Sequence, residues 1–243
     1  MISSFFLGSN PFFLAFREAD IFGKGIFISL FALSLITWVV LLQKYWMTRS
    51  MEEMSRDFSQ KFFEKQENIF SLNYEPSYSE TEYPNPSLVL YESVKKQALA
   101  LLSKNRSSNQ DKTAILTIAD IHMLDQNLMT TLGQLSQIIH QHLFVLPTVV
   151  SLAPFLGLLG TVWGILMTFS ELQSRAGGHG NELVLGGLAM ALATTVLGLI
   201  VAIPALIAHN YLKCRISSIE MNMENFSQEL LSTVELQYRK ADV

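Results

Sequence analysis

The chain has 243 residues, of which 49% are hydrophobic and 16% charged, and its mean hydropathy is +0.29. The charged share falls below the roughly 25% of an average soluble domain, so part of the surface faces something other than water, which argues against a soluble enzyme. A net charge of −4 without a basic, aromatic-interleaved patch argues against nucleic-acid binding, and one cysteine, Cys214, excludes an internal disulfide or a cysteine-rich metal site.

Three charge-free runs organise the chain. The first, 25–42 (GIFISLFALSLITWVVLL), is close to the roughly 17–25 residues that cross a bilayer. Trp38, Tyr45 and Trp46 mark one end as an interfacial aromatic belt would. A cleaved signal peptide fits poorly: no Lys or Arg precedes Arg17, and Gln43, Lys44 and Tyr45 follow the run in place of a small-residue cleavage site. We read it as a retained anchor behind an N-terminal segment, 1–24.

Residues 43–142 form a polar, helical segment. Met51, Met54, Phe58, Phe62 and Ile69 keep helical spacing, so the first span continues beyond the membrane. Residues 71–87 read as a loop, rich in Pro, Ser, Tyr and Glu. A shorter helix is expected at 88–102, then a polar break at 103–111. From Thr113, the residues Ile115, Ile118, Ile121, Leu124, Leu128, Leu132, Leu135 and Ile139 fall on one helical stripe. It runs toward the second span with no stop before Pro147, as one long helix entering the membrane would.

The second span, 143–170, and the third, 183–208, flank a short Gly-rich loop, 171–182, and so form an antiparallel hairpin. The C-terminal segment 209–243 carries another stripe at Ile216, Ile219, Met223, Phe226, Leu230 and Val234. The stripes need partners, either within one chain as a bundle or between subunits. Lys44, Arg49, Arg56, Lys61 and Lys65 follow the first span and Lys213 and Arg215 the third. By the positive-inside rule 43–142 and 209–243 are cytoplasmic, and the N-terminus and the 171–182 loop lie outside.

No catalytic constellation, cofactor motif or metal set stands out. His140 and His142 do not share a helix face, and His122, His179 and His209 are scattered. The hairpin is more informative. Gly157, Thr161, Gly164 and Thr168 share one face of the second span. Gly187, Ala191, Thr195, Gly198 and Ala202 share one face of the third. Gly160 and Gly164 add a GxxxG pair. Such faces let helices approach closely, and lipid gives no other reason for them. A single threonine in a membrane helix most often bonds its own backbone; two of them, each centred in a small-residue face, could line a narrow polar route. Pro147 and Pro154 free backbone carbonyls and can kink the second span.

The stretches APFLGLLGTVWGI (153–165) and LAMALATTVLGLIVAIPAL (188–206), followed by His209, Asn210 and Tyr211, resemble the TolQ/ExbB branch of the TolQ/ExbB/MotA proton-channel family. The three-span topology with one large cytoplasmic segment is similar to that branch, whereas flagellar stators have four spans. The resemblance implies an all-α, polytopic protein of the bacterial inner membrane, its subunits forming a pentameric homo-oligomeric ring embedded in lipid. It implies a single-span ExbD/TolR-like partner carrying a protonatable aspartate, and a TonB- or TolA-like protein energised through the proton motive force.

Residue by residue, the resemblance places pore threonines at Thr161 and Thr195, with Thr194 one position away and Thr168 further along the path. In one respect the chain departs from the family pattern: where relatives often have a glutamate, five residues before the third-span threonine, it has Met190. The second and third spans then hold no carboxylate, so a protonatable group must come from a partner helix. A non-conducting membrane scaffold would use the same small-residue faces for packing alone.

Overall fold

The computed structural model describes residues 11–64, 69–70, 83–108, 115–174 and 181–238. The loop expected at 71–87 falls mostly outside these residues, as do Arg175 and His179 in the hairpin connection. The described residues form helices α1 (Pro11–Glu18), α2 (Ile21–Glu64), α3 (Pro86–Ser108), α4 (Ile118–His140), α5 (Val145–Ser174) and α6 (Asn181–Tyr238). The expected all-α class holds, and α2, α5 and α6 each contain a stretch long and apolar enough to cross a bilayer. The chain is a multi-pass membrane protein.

Local chemistry fixes the helix starts. Asp20 precedes α2, and its Oδ1 accepts the Gly23 amide at 2.9 Å, the ordinary N-cap bond to the third helical residue. Asn85 does the same for α3 through the Leu88 amide at 3.3 Å, with Pro86 at the first helical position, where its missing N–H has no partner to lose. A reciprocal capping box starts α4: the Asp120 amide donates to Thr117 Oγ1 at 3.2 Å, and the Thr117 amide donates to Asp120 Oδ2 at 2.9 Å.

The stripe from Thr113 does not run into the second span as one helix. Helix α4 stops at His140, and α5 begins at Val145 after a turn in which His142 takes φ 61°. Pro147 explains the position of the break. It cannot donate back to the carbonyl of Leu143, but in the first turn of a helix no such bond is needed. Pro154 and Pro204 lie inside α5 and α6.

The chain divides into two units, residues 1–43 with 142–211, and residues 44–141 with 212–243. In the second unit the expected stripes close on each other within one chain. Met51, Phe58 and Phe62 of α2, Leu90 and Val94 of α3, Leu124 and Ile139 of α4, and Ile216, Phe226 and Leu230 of α6 are buried. The Phe226 ring lies 6.0 Å from Phe58 and 5.4 Å from Phe62, edge on in both cases, a favoured aromatic geometry. On α4 the buried face runs Leu124, Leu128, Thr131, Leu135, Ile139. Thr131 takes the place expected for Leu132, because its hydroxyl is satisfied by the Asn127 carbonyl at 2.9 Å and lies 3.1 Å from the Ser93 hydroxyl. The buried Lys44 ammonium donates to the Ile139 carbonyl at 2.9 Å, occupying an acceptor that the end of α4 leaves open.

In the first unit, Ile26 and Leu30 of α2 pack on Val149 and Ala153 of α5 and on Val201, Ala202 and Ala205 of α6. The outward positions stay apolar: Phe31, Leu35 and Val39 on α2, Phe155, Val162 and Phe169 on α5, Leu192, Val196 and Ile207 on α6 are all exposed. A water-facing surface would not carry so continuous an apolar face; a lipid-facing one does.

Candidate functional site

The hairpin of α5 and α6 is held together where side chains are missing. At Gly157 a Cβ would meet the Thr194 carbonyl oxygen and the Thr195 Cα, each at 3.0 Å. At Gly164 it would meet the Gly187 carbonyl oxygen at 2.7 Å, and at Gly198 the Ala153 carbonyl oxygen at 2.6 Å. At Gly160 it would overlap the Thr194 side chain. At Gly157, Gly164 and Gly198 these are approaches to the facing backbone that only glycine permits, and at Gly160 the approach is to a side chain. Of the expected packing residues, Gly157, Gly160, Gly164, Gly187, Ala191 and Gly198 line this seam, and Ala202 lies in the core beside it.

The four candidate threonines occupy different settings. Thr194 is fully buried, and its hydroxyl donates to the Ala191 carbonyl at 2.9 Å and the Met190 carbonyl at 3.1 Å. Thr195 is half-buried, and its hydroxyl crosses the seam to the Gly157 carbonyl at 3.1 Å. Thr161, one helical turn beyond Gly157, is half-buried and donates to the Leu158 carbonyl at 2.6 Å. Thr168 donates to the Gly164 carbonyl at 2.8 Å. Thr194 is thus enclosed between the two helices. Thr195 and Thr161 remain reachable from outside the pair, and the oxygen lone pairs of both can still accept.

A carboxylate from outside the hairpin meets the second span. The Trp163 indole N–H is shared between the two carboxylate oxygens of Asp20, at 3.1 Å and 3.0 Å. Met190 is buried with Ala15, Ala19 and Phe27, and Trp163 packs against the same cluster. The aspartate stands immediately before α2 and caps it; nothing in the chain's order signals that it meets a tryptophan far along in the second span.

Residues 96–225 match the MotA/TolQ/ExbB proton channel family. The chain belongs to that family. Within this family it is similar to the Tol-Pal system protein TolQ of Haemophilus influenzae, 27% identical over 222 residues that cover 91% of this chain and 92% of the relative. It is 40% identical to the biopolymer transport protein ExbB of Aquifex aeolicus over 103 residues, 42% of this chain and 69% of that one. The Pseudomonas putida ExbB is 25% identical over 221 residues, 90% of this chain and 62% of the relative. The matched family region contains every glycine and threonine of the seam. It does not reach Asp20, which lies well before residue 96.

Proposed function

We propose that this chain is the ring-forming stator subunit of an inner-membrane proton-driven motor. In this reading it encloses single-span partner helices and helps them use the proton motive force to energise a TonB- or TolA-like protein, and it has no enzymatic activity of its own. The observation that carries the reading is the pair Thr161 and Thr195, reachable hydroxyls one helical turn apart along a glycine seam in spans without a carboxylate. Hydroxyls of this kind orient water beside a carboxylate supplied by another helix. Protonating that carboxylate removes the cost of a charge in apolar surroundings and frees the partner helix to move. The membership in a proton channel family and the similarity to TolQ and ExbB support it.

In this orientation the N-terminus and the hairpin connection face the periplasm and the bundle of α2, α3, α4 and α6 faces the cytoplasm, in line with the distribution of Lys and Arg. The test is proton flux into liposomes holding the chain with and without a single-span, aspartate-bearing partner. Partner-dependent flux that is lost in Thr195→Val supports the motor. Intact rings without flux in any combination would instead favour a scaffold.

A further inference from the structure

We infer that Lys44 is the latch that divides α4 from α5: its ammonium enters the backbone ladder at Ile139 and keeps residues 141–144 out of a helix that would otherwise run on into the second span. This role stands whether or not the chain conducts protons.

The break is not encoded where it occurs. Residues 138–146 read IIHQHLFVL, without a glycine, and the buried stripe of α4 keeps its helical period up to Ile139. Pro147 permits a break but does not demand one, since Pro154 and Pro204 sit inside α5 and α6 without ending them. Away from proline and glycine, a helix is distorted where a side chain or a water inserts into its backbone ladder.

The turn itself is weakly bonded. The amides of Gln141, Val145 and Leu146 reach carbonyls only three residues back, each at 3.3 Å, longer than an ordinary N–H···O bond. His142 takes φ 61°, a left-handed conformation that a residue with a side chain keeps only where its surroundings hold it there. Left to its own sequence, this segment has more to gain from closing into a helix than from staying open.

Lys44 supplies what holds it open. Its Nζ donates to the Ile139 carbonyl at 2.9 Å, with Met47 Sδ at 3.5 Å. The side chain is buried, and among the described residues no carboxylate stands within ion-pair distance of it. Burial pulls the ammonium below the ordinary lysine range. A buried cation without a carboxylate is costly, and water satisfies an ordinary helix end without that cost. In a continuous helix the Ile139 carbonyl would take the Leu143 amide, four residues on. Lys44 meets that oxygen from α2 instead, where its positive charge also suits the negative end of the α4 dipole. Through this one bond the helix of the first span acts on the root of the second, the helix that carries Thr161.

Lys44→Met nearly keeps the length of the side chain and removes the donor. Amide hydrogen exchange of the full chain in detergent reads the result residue by residue. In the wild-type chain the amides of residues 142–144 should exchange fast, as in an open turn. In Lys44→Met they should exchange at least about tenfold more slowly as the segment joins the helix, while Leu124 to Leu135 keep their protection. Adding His142→Gly to Lys44→Met favours the open turn again, because glycine takes φ 61° freely and weakens a helix, and should restore fast exchange.

Fast exchange at 142–144 in Lys44→Met, with α4 still protected, would overturn the latch, because the break would then hold itself open. Lost protection along all of α4 would overturn it too, by making Lys44 a general support of the bundle. Slow exchange that persists in the double variant would also overturn it, since the slowing would not come from a helix closing through His142. None of these outcomes bears on the threonine seam, whose test is proton flux.

Discussion

The side chain of Thr194 fills the space that a Cβ on Gly160 would take. Each residue presupposes the other: the glycine is what lets α6 bring a threonine flush against α5, and the buried threonine is what fills the gap the glycine leaves. The seam is therefore intolerant of even one methyl group, whereas Gly25 and Gly133, where a Cβ meets nothing within 4 Å, are not.

Gly160→Ala should destabilise the hairpin by roughly 1–3 kcal/mol, the usual cost of overpacking a filled interior. Gly133→Ala on α4 provides the control, since a Cβ there meets nothing within 4 Å. It should stabilise by about 0.5–1 kcal/mol through helix propensity. Thermal unfolding of both variants in the same detergent checks the contrast; equal effects would mean that the seam is looser than described.

The threonines should separate by exposure. Thr195→Val and Thr161→Val, at the two reachable positions, should abolish partner-dependent proton flux while rings still assemble. Thr194→Val keeps its shape inside the seam and loses two bonds to carbonyls of its own helix and a longer one, 3.5 Å, to the Gly157 carbonyl, so it should conduct within about twofold of wild type and lose on the order of 1 kcal/mol of stability. Flux measured across the three variants decides the assignment.

Phe226 joins α6 to the two phenylalanines of α2. Phe226→Ala should cost about 3–5 kcal/mol of stability in the bundle of α2, α3, α4 and α6. Limited proteolysis should then cleave within residues 83–141 at lower protease concentrations than in wild type.

Acid should loosen the start of α4. Partial burial alone would raise the Asp120 carboxyl. The bonds from the Thr117 amide, the Thr117 hydroxyl and the Asn105 amide, with the nearby Lys104 charge, outweigh it and hold the group below its ordinary range. A depressed carboxyl contributes stability that is present above its unfolded value and is lost as the pH falls through the folded one. Asp120→Asn should therefore destabilise at neutral pH and match wild type in strong acid. Unfolding midpoints across that range measure it.

Much of this was legible in the sequence because it rests on period and composition. The charge-free runs, the stripe through Phe226 and the glycine spacing each follow from one helix read by itself. What escaped depends on two helices at once. Thr131 replaces Leu132 on the buried face of α4 because Ser93, on another helix, stands within hydrogen-bonding distance of its hydroxyl. Thr194 and Thr195 are neighbours in sequence, and only the approach of α5 decides which is enclosed. Asp20 and Trp163 lie 143 positions apart, and no pattern within one helix pairs them. The break before Pro147 is half visible in the sequence: the proline marks a helix start, but a stripe that keeps its period right up to Ile139 gives no hint that the helix stops at His140.

The lack of fixed charge along the seam of α5 and α6 also bears on how such a protein can be made. A wall of glycine, alanine, threonine and apolar side chains is electrically silent: it holds no counter-ion and gives a stray ion nothing to replace its hydration shell. Subunits built before their partner arrives would be insulation first and machinery second. On the channel reading, a cell that makes this chain early, or in excess, would lose no gradient through it.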